Sequence, residues 1–156
     1  MSKSLKRVKQ HLAAMGLPIE ILHVTVPTNT AQQAADVVGC TVDQIAKSVI
    51  FRGENSGEAI LFLTAGGNRV DAAKASALAG EPLGKADAAL IREQTGFAIG
   101  GVSPFGHLKP IRAFLDPRLS AFDVIWAAAG TPHHMFDIAP QTLVEKTGAK
   151  VADFTE

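Results

Sequence analysis

The sequence predicts an α/β domain with a mixed sheet and helices packed around it, and three observations carry that expectation. Helical and strand-like stretches are interspersed along the chain, which selects the α/β class. Several strand candidates follow one another through short turns, which argues against a purely parallel, doubly wound sheet. The chain has 156 residues, 47% of them apolar, enough for one core and too few for two substantial domains. No repeat, low-complexity tract or long linker divides it, so residues 1–156 are expected to fold as one compact unit.

In chain order, Leu5, Val8, Leu12 and Met15 recur at spacings of three and four and define one face of a first helix, which Gly16 ends. The segment ILHVTV (residues 21–26) reads as a strand. Thr30 and Gln33 have capping-box spacing ahead of a short helix closed by Gly39, and Thr41 with Gln44 repeats the signal. Residues 47–52 are rich in β-branched and aromatic side chains, residues 53–57 are turn-like, and EAILFLTA follows, which together predict a hairpin. Asp71 is placed to cap a helix ending at Gly80, and Asp87 one ending at Gly96. FAIGGVSPFGHLKP (residues 97–110) is too irregular for either periodicity and is expected to be a loop. Strands are expected at IRAFLD, DVIWAAA and MFDIA. Pro140 suits the first turn of a last helix stopping at Gly148, with a short strand after it.

Charge and cysteine content exclude several function classes. Fifteen Lys plus Arg balance fifteen Asp plus Glu, so no broad polyanion-coating surface is expected, only a local basic patch. The single cysteine, Cys40, excludes an internal disulfide framework and a four-cysteine metal site. The basic N-terminal segment is followed by no long apolar run, so neither a signal peptide nor a membrane anchor is expected, and a cytoplasmic location is.

Familiar catalytic motifs fail. GEPLGKA (residues 80–86) is one residue too short for a phosphate-binding P-loop and has Ala where a hydroxyl would hold magnesium, so it reads as a helix end and loop. In GGVSPFG, Phe105 replaces the last glycine of the nucleophile elbow, which demotes Ser103 as a nucleophile. His11, His23, His107, His133 and His134 lack zinc-protease spacing, and adjacent side chains on an extended segment point to opposite faces. No metal or other cofactor is expected.

Two features survive. In a strand starting near Ile45, Lys47 shares the more apolar face with Ile45, Val49 and Phe51. It reads either as a snorkelling end-of-strand lysine or as a cation set in a cleft to meet negative charge. The run Gly100-Gly101-Val102-Ser103-Pro104-Phe105-Gly106 reads either as a tight turn or as a loop that brings backbone amides to a ligand, stiffened by Pro104. A weaker third feature is AAAGTPHHMFDIAP (residues 127–140), whose small residues suit a pocket wall.

The segments TNTAQQAADVVGCTVDQIAKSVIF (residues 28–51), GNRVDAAK (67–74), TGFAIGGVSPFG (95–106) and a late AGTP occur in the same order as in the YbaK-like proteins, free-standing relatives of the editing insertion domain of bacterial prolyl-tRNA synthetase. The resemblance covers about residues 20 to 145 and is most specific at QIAK and the glycine-to-proline loop. It implies a compact α/β domain with a mixed, partly closed sheet, and a trans-acting aminoacyl-tRNA deacylase that hydrolyses mischarged tRNA, most often tRNA for proline. Lys47 matches the family's key lysine, and Gly100 and Pro104 match the ends of its G-x-x-x-P loop.

On that basis Lys47, Gly100 and Gly101 are the expected catalytic residues. Phe51, Val102, Ser103, Pro104, Gly130, His133 and Met135 are expected around the substrate, and the basic residues concentrated in the first helix place Lys6 and Arg7 at the tRNA. Prolyl-tRNA synthetase is a candidate partner; DNA and membranes are not. An aminoacyl ester is already activated and carries a neighbouring 2′-OH, so positioned water and oxyanion stabilisation suffice without a protein nucleophile. Two other readings compete: a non-catalytic module of the same fold that binds a nucleotide or a synthetase, and a small esterase, disfavoured because no nucleophile and base pair up in the sequence.

Overall fold

The computed structural model describes residues 2–156. Helix α1 (Lys3–Ala14) is capped by the Ser2 hydroxyl, which accepts from the Leu5 amide, and it buries Leu5, Val8 and Leu12, the predicted stripe. Strand β1 (Leu22–His23) is shorter than ILHVTV suggests. It meets only the two-residue edge of a later strand, so most of that segment has no ladder to join. Helix α2 (Ala31–Val38) carries the complete Thr30–Gln33 capping box and ends on Gly39 in the left-handed region. The second box, at Thr41 and Gln44, closes only a single 3-10 turn, Val42–Gln44.

The hairpin forms from β2 (Ala46–Gly53) and β3 (Ala59–Ala65), antiparallel with Lys47 opposite Thr64. Helix α3 (Ala72–Ala79) and helix α4 (Ala88–Thr95) begin on Asp71 and Asp87 and stop at Gly80 and Gly96, as their caps predict. Between them lies β4 (Leu83–Lys85), a strand in the GEPLGKA stretch expected to be loop. It pairs with the far end of β2, and that tertiary edge overrides the turn-like composition. Strand β5 (Arg112–Leu115) is followed by a 3-10 turn, Pro117–Ala121, which the sequence reading did not contain. Strands β6 (Ile125–Ala128) and β7 (His134–Ile138), helix α5 (Pro140–Thr147) and β8 (Lys150–Val151) complete the chain.

The strands form two open sheets rather than one curled sheet: a mixed one, β4-β2-β3-β5-β8, and an antiparallel one, β1-β7-β6. The β3–β5 and β5–β8 pairs are parallel, and the rest are antiparallel. A single bridge, Ile45 to Trp126, links the sheets at the start of β2. Both faces of the larger sheet are covered. Leu61, Leu63 and Leu115 pack with α1 and with Phe97, Val102 and Phe105 on one side. On the other, Phe62 stacks on Phe114 and meets Phe154 edge-on. This double burial explains why β3 reads as a continuous apolar run rather than an alternating one.

Candidate functional site

Where β2 leaves the Ile45 bridge, the sheets part and leave a cleft of about 670 Å3. Residues 46–49 of β2 form one wall. The lead into α2 (Thr28 to Gln32) and the turn at Gly66 and Gly67 form another, and Ile99, Gly100 and Val102 close the third, with Ala128 and Met135 contributed by the smaller sheet.

Lys47 is half-buried in this cleft, and its ammonium donates to the Asn68 carbonyl at 2.6 Å and the Gly66 carbonyl at 3.3 Å. An ammonium has three N–H donors, so one remains for a ligand. Burial holds the Lys47 pKa below the ordinary lysine value. Arg69 pushes the same way, and the carboxylates of Asp116 and Asp43 oppose it. The carbonyls that hold the lysine are themselves fixed. Buried Asp116 accepts from the Ala65 amide and the Asn68 side chain, and Asp43 accepts from the Gly67 amide. Gly66 is required here because a Cβ would lie 2.2 Å from the Val42 carbonyl oxygen.

The glycine loop enters the cleft at one point and then dives. Gly100 is partly exposed at φ +91°, whereas residues 101–106 are buried. The Gly101 amide donates to the Ala98 carbonyl at 3.0 Å, which narrows the expectation that both glycine amides face a substrate. The Gly100 amide has no hydrogen-bond partner among the described residues. Gly101 serves close approach instead, since a Cβ there would sit 2.8 Å from Thr131 Cα. Ser103 is fully buried, its hydroxyl accepting from the Phe105 amide, and its carbonyl accepts from His107 Nε2 at 2.6 Å.

Of the residues expected around a substrate, Val102 and Met135 line the cleft with Lys47 and Gly100. The others lie elsewhere. Phe51 packs edge-on against Phe62 in the opposite core, 5.7 Å between ring centroids. Ser103 is turned inward, and Pro104 faces a different groove beside His11 and His107. Gly130 lies against the Ser4 backbone, with no room for a Cβ. His133 is held by its ring to the Val24 carbonyl. Lys6 is exposed, while Arg7 turns inward, donating to the Gly106 and Gly96 carbonyls at 2.7 and 2.8 Å and stacking over Phe97.

Sequence reasoning missed Ser48. Its hydroxyl donates to the Val102 carbonyl at 2.8 Å and ties the glycine loop to the strand that carries Lys47. The available signal was a lone hydroxyl on the face shared with Ala46 and Ile50. Thr28 was missed too: it is buried, and its amide and hydroxyl both donate to the Pro132 carbonyl, fixing the entrance to α2.

The cleft thus brings together a lysine cation and a loop residue whose amide has no hydrogen-bond partner among the described residues. Residues 25–146 of the chain match the model of the aminoacyl-tRNA editing domain, and the chain belongs to that YbaK-like family. The Bacillus subtilis (strain 168) protein YwhH, described as uncharacterized, is 32% identical over 148 residues, covering 95% of this chain and 94% of YwhH. A crystal structure of a proposed trans-editing enzyme for prolyl-tRNA synthetase is 45% identical, with a TM-score of 0.93, covering 100% of this chain and 99% of that one. The crystal structure of the hypothetical protein APE2540 is 31% identical with a TM-score of 0.88, covering 96% and 99%.

Proposed function

We propose that the chain acts in trans on mischarged tRNA, hydrolysing the ester that joins a small noncognate amino acid to the 3′ end of tRNA for proline. The observation that carries this reading is the pairing of the Lys47 ammonium and the free Gly100 amide as walls of one cleft. The similarity to a proposed trans-editing enzyme for prolyl-tRNA synthetase supports the choice of tRNA and makes that synthetase the candidate partner.

In this mechanism water adds to the ester carbonyl carbon, and the carbonyl oxygen becomes an oxyanion facing the Gly100 amide. The tetrahedral intermediate collapses with cleavage of the acyl C–O bond, and the proton lost by water goes to the departing ribose oxygen. The substrate's own neighbouring hydroxyl orients the water. The remaining donor of Lys47 holds the terminal nucleotide's phosphate or the substrate's polar groups. Gly101 lets the loop pack on the Thr131 turn so that Gly100 stands at the right depth. Val102, Ala128 and Met135 give the acyl pocket its apolar walls. An apolar pocket separates side chains differing by one methylene by only about 10- to 200-fold, so several small amino acids are accepted. Lys6 on the exposed face of α1 meets tRNA phosphate.

The test is deacylation of tRNA for proline charged separately with alanine, cysteine, serine, threonine and proline, by wild type and Lys47→Ala. Lysine-dependent hydrolysis of one or more noncognate esters, with the proline ester spared, is the expected result. Hydrolysis of none, with the synthetase present, would replace this reading with that of a binding module.

A further inference from the structure

A second groove, of about 490 Å3, lies beside the Gly130–Thr131 turn. Its walls are Ser2, Leu5 and Lys9 of α1, His23 of β1, and Thr131, His133 and His134 at the start of β7. Gly101 of the catalytic loop packs against one side of this turn, and Ser4 of α1 packs against Gly130 and donates to its carbonyl at 2.8 Å. Thr131 thus lines the groove while its backbone carries the glycine loop next to Gly100, a residue of the cleft wall.

Its chemistry is one-sided. The His23 ring lies 4.9 Å from that of His134 and 6.4 Å from that of His133. No carboxylate lines the groove, and Lys9 makes no ion pair among the described residues, although Glu20 shares a neighbouring groove with it. The free ring nitrogens can be assigned. His133 Nδ1 donates to the Val24 carbonyl, and His134 Nδ1 is paired with the Thr131 hydroxyl at 2.6 Å, so Nε2 of each ring has no partner among the described residues. Burial lowers the His134 pKa, and His23, Lys9 and His133 lower it further by repulsion. Among the described residues no group of His, Cys, Asp or Glu side chains is arranged to hold a metal ion. The Lys9 ammonium is the permanent charge and donor of this groove, and what it lacks is an anion.

We propose that the groove formed by Lys9, His23, His133 and His134 binds a backbone phosphate of the acceptor end of the tRNA whose 3′ ester occupies the cleft. This rests on the function proposed above, and it follows from the shape of that substrate. The ester sits at the tip of a polyanion, so once the tip is seated the next phosphates must cross the rim, and this rim is where unpaired donors gather. The whole chain carries zero formal net charge, so attraction to a polyanion has to come from a local patch such as this one.

The experiment compares wild type with Lys9→Glu/His23→Ala, two exposed positions outside the cleft, and with the milder Lys9→Gln. Affinity for an uncharged acceptor-stem RNA hairpin ending in its single-stranded 3′ tail is measured against salt. Each phosphate contact contributes about 0.7 to 0.9 to the slope of log K against log salt. The double variant is expected to bind about tenfold more weakly at low salt with a slope shallower by about one unit, and Lys9→Gln to shift in the same direction by less. Hydrolysis of an aminoacyl-adenosine, which carries no stem, stays unchanged in both. RNA affinity and slope equal to wild type would overturn the proposal. So would displacement of the hairpin by inorganic phosphate at its own concentration, which would mark a free-phosphate site. Failure of the functional reading is separate: it shows as absent or Lys47-independent ester hydrolysis, whatever the hairpin does.

Discussion

Ser48→Ala removes the hydroxyl that ties the glycine loop to β2, and its effect on catalysis is expected to exceed its effect on stability. The hydroxyl donates to the Val102 carbonyl at 2.8 Å, and Val102 is 6% exposed. Leaving a buried acceptor unpaired costs about 1–3 kcal/mol, which in a domain of this size lowers Tm by about 2–4 °C per kcal/mol. The loop is also released from β2. Gly100 lies two residues upstream of the lost anchor, and a displacement of about 1 Å at a reacting centre costs on the order of 100-fold in rate. The expected result is a fall in kcat of about 10- to 100-fold with KM little changed, measured by single-turnover deacylation of charged tRNA beside a thermal melt. Ser48→Thr keeps the hydroxyl and suits a strand, so it should restore most of the rate. A Ser48→Ala protein with the predicted drop in Tm but wild-type kcat would refute the idea that this bond sets the position of Gly100.

Lys47→Met is expected to reduce kcat/KM for deacylation by about 10- to 100-fold, the cost of one charge-assisted hydrogen bond to the substrate, while circular dichroism shows the fold retained. Because burial depresses the Lys47 pKa, the alkaline limb of kcat/KM in wild type should fall at a pH below the ordinary lysine value of 10.5, and it should vanish in Lys47→Met. In the same window, between the depressed folded value and the ordinary unfolded one, the unfolded chain binds more protons, so denaturant melts should show wild-type stability rising with pH from this group. Gly101→Ala forces a Cβ to 2.8 Å from Thr131 Cα; backbone rather than a flexible side chain must yield, so both activity and Tm should drop, and an unchanged melt would show that the turn accommodates it.

Much of the fold is written in local signals. Thr30, Asp71 and Asp87 each accept the hydrogen bonds that start a helix, and Gly39, Gly80 and Gly96 each take the left-handed conformation that stops one. Such caps depend on neighbours a few residues away, so a sequence reveals them. Strand β4 and the shortness of β1 depend on which edges are available in space, and no local pattern carries that. The site divides similarly. Lys47 and Gly100 are legible from residue type and family likeness, and the cleft unites them although they are 53 positions apart. Phe51 was assigned by alternation with Lys47, but alternation names a face and not its covering, and farther along β2 that face is filled by Phe62. Arg7 was assigned by charge, yet the backbone carbonyls of Gly96 and Gly106 beside it are equally good acceptors for a guanidinium.

Helix α1 lies wholly outside residues 25–146, the stretch shared with the editing-domain model, yet it behaves as part of the machinery. Leu5, Val8 and Leu12 are buried in the same cluster as Val102 and Phe105, worth about 5–9 kcal/mol at the usual yield per buried aliphatic side chain, which is comparable to the whole stability of a typical domain. Arg7 braces the far end of the glycine loop, and Ser4 braces the Gly130 turn on which Gly101 rests. The helix is thus an outrigger: apart from the cations it carries, it braces two loops at once. Any change that loosens it, whether a truncation or a partner that pulls on it, would shift the glycine loop from outside residues 25–146 without touching a residue of the cleft.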